Sequence, residues 1–272
     1  MALHKHISLM QSLLSGTVVA AALLLGSCST TSKETTSSIP RLNRPIEAMN
    51  QGELAAAART TGVEYARNPK DRNAGMNYAT LLRMTGKNAQ ALAVMRQMAI
   101  LYPSDRDVLA AYGKSLAGAG EFEQALSAIG RAQTPDQPDW RLKSAQGAIL
   151  DQMDRQAEAR AAYREALDIK PNEPSVLSNL GMSYLLARDL KTAETYMRAA
   201  INQPGADSRV RQNLALVVGL QGRFQEAENI ARQELTAEQA EANVAYLKGM
   251  LTQENSWQKL SSADDKRAKN TN

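Results

Sequence analysis

The sequence predicts an all-α solenoid built from helix-turn-helix repeats, and three regularities support this fold class. Small residues recur every 34 positions in two rows, large apolar residues keep helical spacing around them, and glycines or prolines separate the apolar stretches. The first row is Ala57, Ala91, Ala125, Ala159, Ala193 and Ala227, and the second is Ala79, Gly113, Gly147, Gly181 and Ala215. A register kept for most of the chain indicates stacked two-helix units, with small residues where helices approach closely.

Each unit is predicted to contain two amphipathic helices. In the first helix, residues such as Leu109, Tyr112 and Leu116 lie on one helical face. The second helix follows as another apolar stretch, as in Phe122 to Ile129. One buried face per helix is what a stack of paired helices requires.

Breaks in the helices are predicted from turn-forming residues. Pro103 and Pro171 close units, because proline lacks an amide donor and disfavours helix at the preceding residue. Turns within units are expected where glycine or a polar pair follows the first helix, at Gly86-Lys87, Gly120-Glu121, Arg188-Asp189 and Gly222-Arg223.

These boundaries give a solenoid over residues 46–255. We expect a leading half-repeat at about residues 52–68 and a final helix at about residues 237–253, which would cover the last apolar face. Five full repeats are predicted to start near Arg72, Arg106, Trp140, Pro174 and Ser208.

The pattern resembles the tetratricopeptide repeat (TPR) family, and the resemblance implies a right-handed solenoid. Two departures blur individual repeats without breaking the register. The tryptophan often found early in the first helix is replaced by Leu109, Lys143, Leu177 and Arg211. The late alanine kept at Ala132, Ala166 and Ala200 is replaced by Glu64, Met98 and Glu234.

The N-terminus has the layout of a secretory signal peptide at residues 1–27, with a polar start and a short apolar run. Leu25-Gly26-Ser27-Cys28 is similar to the bacterial lipobox, which implies cleavage between Ser27 and Cys28 and lipidation of Cys28. An ordinary signal peptide with an incidental cysteine is the alternative. Three acyl chains would make a stable anchor, and Ser29 after the cysteine suggests the outer membrane of a Gram-negative bacterium, facing the periplasm.

Two segments are predicted to be flexible, because they contain too few apolar side chains for burial to offset the conformational entropy lost on ordering. They are a tether at residues 28–45 and a tail at residues 256–272. Trp257 in the tail is expected either to pack on the final helix or to be an exposed contact.

Composition argues against several function classes. The 32 basic and 28 acidic residues are interspersed, with no basic run or stacking motif for nucleic acid. Both histidines, His4 and His6, lie in the predicted signal peptide, and Cys28 is the single cysteine. The mature chain would therefore lack a catalytic triad, a Cys-His pair and a histidine metal site. We predict no enzyme, no cofactor, no metal and no small-molecule substrate; carboxylate-only catalysis is the open alternative.

The TPR resemblance implies that the first helices line a groove for an extended peptide or partner helix. By register, the candidate groove residues are Asn77, Arg83, Lys114, Arg141, Ser178, Asn179, Met182, Arg209 and Asn213. Ser144 and Asp151 also fall at inward positions.

These candidates offer two kinds of contact. An asparagine amide can pair with a peptide backbone, although a local hydrogen bond is the alternative for Asn77, Asn179 and Asn213. The basic residues could bind acidic side chains or a C-terminal carboxylate. The chaperone-tail clamp of the family is not predicted, because Ala111 and Ala145 replace its asparagine.

An apolar run at Met182, Leu185, Leu186, Leu216 and Leu220 is the remaining groove feature. We expect the final helix to cover it; a hydrophobic pocket for a partner is the alternative.

The lipobox, the tether and the repeats together resemble the TadD-like lipoproteins of tight-adherence (Flp) pilus systems. The stretch NPKDRNAGMNYATLLRMTGKNAQALAVMRQMAILYPSDRDVLAAYGKSLAGAGEFEQAL carries this resemblance, followed by DWRLKSAQGAILDQM. It implies a non-enzymatic assembly factor that binds a secretin or another pilus subunit. A pilotin for another secretin system and an adaptor for peptidoglycan enzymes are the alternatives.

Overall fold

A computed structural model of the chain describes residue 46 and residues 49–269, with side chains to residue 253. In this part the chain forms twelve α-helices and no strand. In chain order they are α1 Gln51–Arg67, α2 Arg72–Met84, α3 Asn88–Leu101, α4 Arg106–Gly118, α5 Phe122–Ala132, α6 Trp140–Gln152, α7 Gln156–Ile169, α8 Pro174–Leu186, α9 Leu190–Ile201, α10 Ser208–Leu220, α11 Phe224–Ala231 and α12 Ala237–Lys269.

The helices form the predicted TPR solenoid. Five helix pairs, α2/α3 to α10/α11, are the full repeats, and their first helices begin at the five predicted residues. Helix α1 is the second helix of the leading half-repeat and packs on α2. Helix α12 packs on α10 and α11 as the cap.

An acidic residue precedes every first helix at the same register position. These residues are Asp71, Asp105, Asp139, Glu173 and Asp207. The four aspartates accept hydrogen bonds from backbone amides of the first turn, which otherwise lack partners. Glu173 makes no such bond, and Pro174 at the first helical position removes one of the amides.

The turns inside the repeats share a left-handed residue. Gly86, Gly120 and Gly222 have φ of 75°, 84° and 81°, as the predicted turns require. Asp154 and Arg188 occupy the same register position with φ of 61° and 64°. These two repeats therefore use a conformation that costs an L-residue free energy.

Small residues in the two rows lie where the helices of one repeat meet. Ala91, Ala125, Ala159 and Ala193 are completely buried. A Cβ atom on Gly147 would lie 2.7 Å from Tyr163 Cε1, closer than real contacts allow. Helix spacing within a repeat therefore depends on the absence of larger side chains here.

Successive first helices also contact one another, from α2 through α4, α6, α8 and α10 to α12. Second helices of neighbouring repeats make at most slight contact within the described residues. The first helices therefore form the more closely spaced layer, which is the concave side of such a stack.

The C-terminal helix differs from the prediction. It was expected to end near Gln253, with a flexible tail from residue 256, but α12 continues to Lys269. The segment from residue 256 onward contains neither glycine nor proline, so nothing in it stops a helix. Trp257 lies outside the side chains that the structure describes.

The N-terminal predictions concern residues that the structure does not describe: the signal peptide, the cleavage site, Cys28 and the tether. Among the described helices, none is both long and apolar enough to span a membrane.

Candidate peptide-binding face

The nine candidate groove residues all lie on first helices, but the structure divides them into groups. Asn77 and Arg83 are on α2, Lys114 on α4 and Arg141 on α6. Ser178, Asn179 and Met182 are on α8, and Arg209 and Asn213 on α10.

Arg83, Lys114 and Arg141 form what we call the cationic cluster. They lie on three successive first helices that contact one another, and all three residues are exposed. No carboxylate of a described residue forms an ion pair with any of them. The Arg141 guanidinium lies over the Trp140 ring, with its Cζ 4.6 Å from the ring centre. The cluster is therefore positive charge that the described fold does not neutralise.

Within the cluster, Lys114 is affected by the charges of the other two members. The walls of the face displace water around Arg83 and Lys114, and this desolvation lowers the pKa of both groups. The charges of Arg83 and Arg141 lower the pKa of Lys114 further, and the Asp139 carboxylate raises it. Repulsion and desolvation together make this a region where an added anion would be favourable.

Asn179 and Asn213 make local hydrogen bonds to the preceding first helix. Asn179 Nδ2 donates to Ser144 Oγ at 3.1 Å, and Asn213 Nδ2 donates to Ser178 Oγ at 3.1 Å. Both serines are buried on the preceding first helix, so each bond joins neighbouring repeats. We call these the asparagine–serine bonds. They match the local alternative for the two asparagines and give Ser178 a structural partner.

Asn77 occupies the same register position with a different environment. Its side chain is exposed and bonds to no described residue. Within the described residues no first helix precedes α2, so no serine there corresponds to Ser144 or Ser178. Of the three asparagines, Asn77 is the one whose amide remains open to a ligand.

Met182 and Arg209 are not part of the cluster. Met182 is half-buried and packs against the hydrophobic cluster that contains Ala193, Met197 and Leu214. Arg209 Nη2 lies 3.1 Å from Asp207 Oδ2, an ion pair at the start of α10.

The cap helix packs against the hydrophobic cluster that part of the apolar run also contacts. Val244 of α12 joins the same hydrophobic cluster as Met182 and Leu185. A Cβ on Gly219 would meet Leu247 Cδ2 at 2.5 Å, so α12 lies tightly against α10. The final helix is therefore in place beside the run, and its covering of Leu186, Leu216 and Leu220 stays a prediction.

Asp151 is buried, although register placed it facing inward. Its carboxylate accepts hydrogen bonds from Tyr163 Oη at 3.0 Å and Ser183 Oγ at 2.7 Å. Burial raises the pKa of Asp151, and the two hydroxyl donors partly oppose that rise. The network joins α6, α7 and α8, and a lone aspartate in sequence gave no signal for it.

No group of histidine, cysteine, aspartate or glutamate side chains in the described residues could hold a metal ion.

Comparisons with known proteins concern the fold. A family model for the tetratricopeptide repeat matches residues 143–173. A crystal structure of the APC/C hetero-tetramer Cut9–Hcn1 aligns with 74% of this chain at 16% identity and a TM-score of 0.57, and this chain covers 40% of that one. TTC0263, a thermophilic TPR protein in Thermus thermophilus, aligns over 61% of this chain and 91% of its own at 22% identity and a TM-score of 0.54. No curated protein matches the sequence.

Proposed function

We propose that this chain binds a segment of a protein partner on its first helices. The chain has the solenoid fold of tetratricopeptide repeats, and that fold is typically a non-catalytic scaffold for protein–protein interaction. The observation that carries this proposal is the cationic cluster of Arg83, Lys114 and Arg141, together with the open amide of Asn77 on the same helix as Arg83. Unneutralised cations attract charged side chains, and an amide can pair with a peptide backbone.

We further propose that the scaffold assists assembly of a tight-adherence (Flp) pilus at the outer membrane. Support comes from the sequence resemblance to TadD-like lipoproteins and from the lipobox-like Leu25-Gly26-Ser27-Cys28. The partner would be a secretin or another pilus subunit. A lipid anchor at Cys28 would hold the solenoid beside the pore and raise the effective concentration of the two proteins.

The proposed pilus function is tested by deleting the gene and complementing the strain with the wild type or with Cys28→Ser. We expect the deletion strain to lose surface pili in electron micrographs and to contain less multimeric secretin in membrane extracts. Cys28→Ser should move the protein from the membrane fraction to the soluble fraction and restore few pili. Normal pili in the deletion strain would refute the proposed pilus role.

Crosslinking and purification of the wild-type chain from cells would separate the related alternatives. Recovery of peptidoglycan enzymes would favour the adaptor for cell-wall enzymes. Recovery of a secretin from a different secretion system would favour the pilotin.

A further inference from the structure

The first-helix face is chemically divided along the stack. The three N-terminal repeats carry the cationic cluster and the open amide of Asn77. In the fourth and fifth repeats the corresponding asparagines are engaged in the asparagine–serine bonds. Arg209, the candidate groove cation of the fifth repeat, is already paired with Asp207. Cations without an ion pair to a described residue, and the one asparagine of the three without a hydrogen bond to a described residue, thus lie at one end of this face.

We infer that the N-terminal three repeats bind an acidic, extended segment of the partner, with its carboxylates on Arg83, Lys114 and Arg141. This inference rests on the proposed function only in assuming a protein partner. It narrows that partner's binding segment to one rich in aspartate or glutamate.

The physical reason is that the free face holds three like charges on contacting helices. Bringing such charges together in a partly dehydrated concavity costs free energy, because the charges of Arg83 and Arg141 destabilise the charged form of Lys114. An acidic segment would relieve this repulsion and form charge-assisted hydrogen bonds at the same time. The exposed Asn77 side chain, on the same helix as Arg83, would pair with the backbone of the segment.

The test measures binding of two fluorescent synthetic peptides to the purified full-length chain in detergent. One peptide alternates glutamate and alanine, and the other has glutamine at every glutamate. We expect the glutamate peptide to bind at least about tenfold more tightly at low salt, with the difference shrinking as salt is raised. Equal affinity for the two peptides would overturn the inference.

Variants locate the site. Lys114→Met keeps the apolar stem and removes the charge, so we expect about tenfold weaker binding of the glutamate peptide. The ligand-free variant should melt no lower than the wild type, because repulsion in the cluster is reduced. Lys114→Arg should retain binding. Lys191→Gln, which removes an exposed charge on the second helix α9, is the matched control and should bind normally.

Three outcomes count against the inference. Lys114→Met could bind the peptide as the wild type does, or Lys191→Gln could lose as much affinity. The cluster variants could instead lose affinity for phosphatidylglycerol vesicles while the acidic peptide stays unbound, which would assign the cluster to a membrane surface. Failure of the peptide assay leaves the pilus proposal to its own test. Normal pili in the deletion strain would remove the pilus role and leave a positive peptide result standing.

Discussion

Gly75 and Met98 reverse a pairing of a large and a small side chain that the second and fourth repeats keep at the same two positions. The second and fourth repeats combine a leucine in the first helix with an alanine in the second, as in Leu109 with Ala132. In the first repeat, Met98 is completely buried, and a Cβ on Gly75 would collide with its Sδ. The glycine thus makes room for the methionine that replaces the family's late alanine.

This exchange predicts strong coupling between the two positions. Met98→Ala alone should lower the free energy of unfolding by about 2–5 kcal/mol because it leaves a cavity. Gly75→Leu alone should cost about 1–3 kcal/mol through overpacking. The double variant restores the pairing of the second repeat, so its loss should be smaller than the sum by about 1 kcal/mol or more. Urea unfolding of all four chains measures this, and additive losses would refute the coupling.

The fifth repeat also lacks the late alanine, and there an ion pair accommodates the larger side chain. Glu234 stands at the late-alanine position, and Arg211 at the tryptophan position forms an ion pair with it. Arg211 and Glu234 each depart from the family pattern, but in the structure the two side chains compensate for each other. Coordinated substitutions of this kind explain how individual repeats diverge while the stack keeps its register.

Gly147 is predicted to be the most sensitive glycine of the second row. Its Cβ would meet the ring of Tyr163, which is buried and hydrogen-bonded to Asp151 and so cannot easily move. Gly147→Ala should therefore cost about 1–3 kcal/mol. Gly130→Ala is the matched control on helix α5, because nothing lies near its added methyl group. There we expect a gain of about 0.5–1 kcal/mol from helix propensity. Losses of equal size in the two variants would contradict the packing argument.

The repeat architecture could be predicted because its signal is redundant. Helix starts at Arg72, Arg106 and Trp140 follow from small residues, apolar spacing and turns that all repeat together. The acidic residue before each first helix, as at Asp105, is a further 34-residue signal that could have strengthened the boundaries. The end of α12 could not be located in this way, because a charged segment without glycine or proline carries no stop signal.

The candidate site was only partly accessible from sequence. Register correctly assigned all nine candidates to first helices, since helical spacing determines which helix a residue occupies. It could not distinguish Asn77 from Asn179, because the difference is whether a preceding first helix supplies a serine. Their contact with a ligand stays a prediction. Burial of Asp151 depends on Tyr163 and Ser183, which lie in two other helices.

The asparagine–serine bonds predict different roles for residues at one register position. Asn179→Ala should lower the free energy of unfolding by about 1 kcal/mol because it removes a bond to the buried Ser144. Asn77→Ala should change stability by less than about 0.5 kcal/mol. A double-mutant cycle of Asn179→Ala with Ser144→Ala, measured by urea unfolding, should show coupling. Equal stability losses at Asn77 and Asn179 would refute this division.

Arg188 is predicted to be a site where glycine stabilises the chain. Its φ of 64° places it in the left-handed region, where the equivalent residue Gly222 has φ of 81°. The left-handed conformation costs an L-residue about 1–2 kcal/mol. Glycine avoids this cost, but it also increases the entropy of the unfolded chain, which offsets part of the gain in stability. Arg188→Gly should therefore raise the free energy of unfolding by up to about 1 kcal/mol. Arg188→Ala controls for loss of the side chain and should give no such gain; Gly222→Ala should be destabilising.

Asp151 predicts a pH dependence of stability with a defined sign. Burial raises its pKa in the folded chain above the ordinary value of 3.8. At pH values between 3.8 and the raised pKa of the folded state, the folded chain binds more protons than the unfolded chain. In that range this group therefore makes the free energy of unfolding fall as pH rises. Asp151→Asn removes that dependence and can still bond Tyr163 and Ser183. Its stability relative to the wild type should therefore increase as pH rises above 3.8 and then level off.

Glu194 supplies the control of opposite sign for this measurement. Its burial would raise the pKa, but hydrogen bonds from Arg223, Gln221 and Arg198 outweigh burial and hold the pKa at about 2 instead of 4.5. The stability it contributes is present above pH 4.5 and is lost as pH falls toward about 2. Glu194→Gln should therefore be less stable than the wild type at neutral pH, with the gap closing in acid. Urea unfolding across this pH range measures both variants, and an Asp151→Asn curve parallel to the wild type would refute the assignment for Asp151.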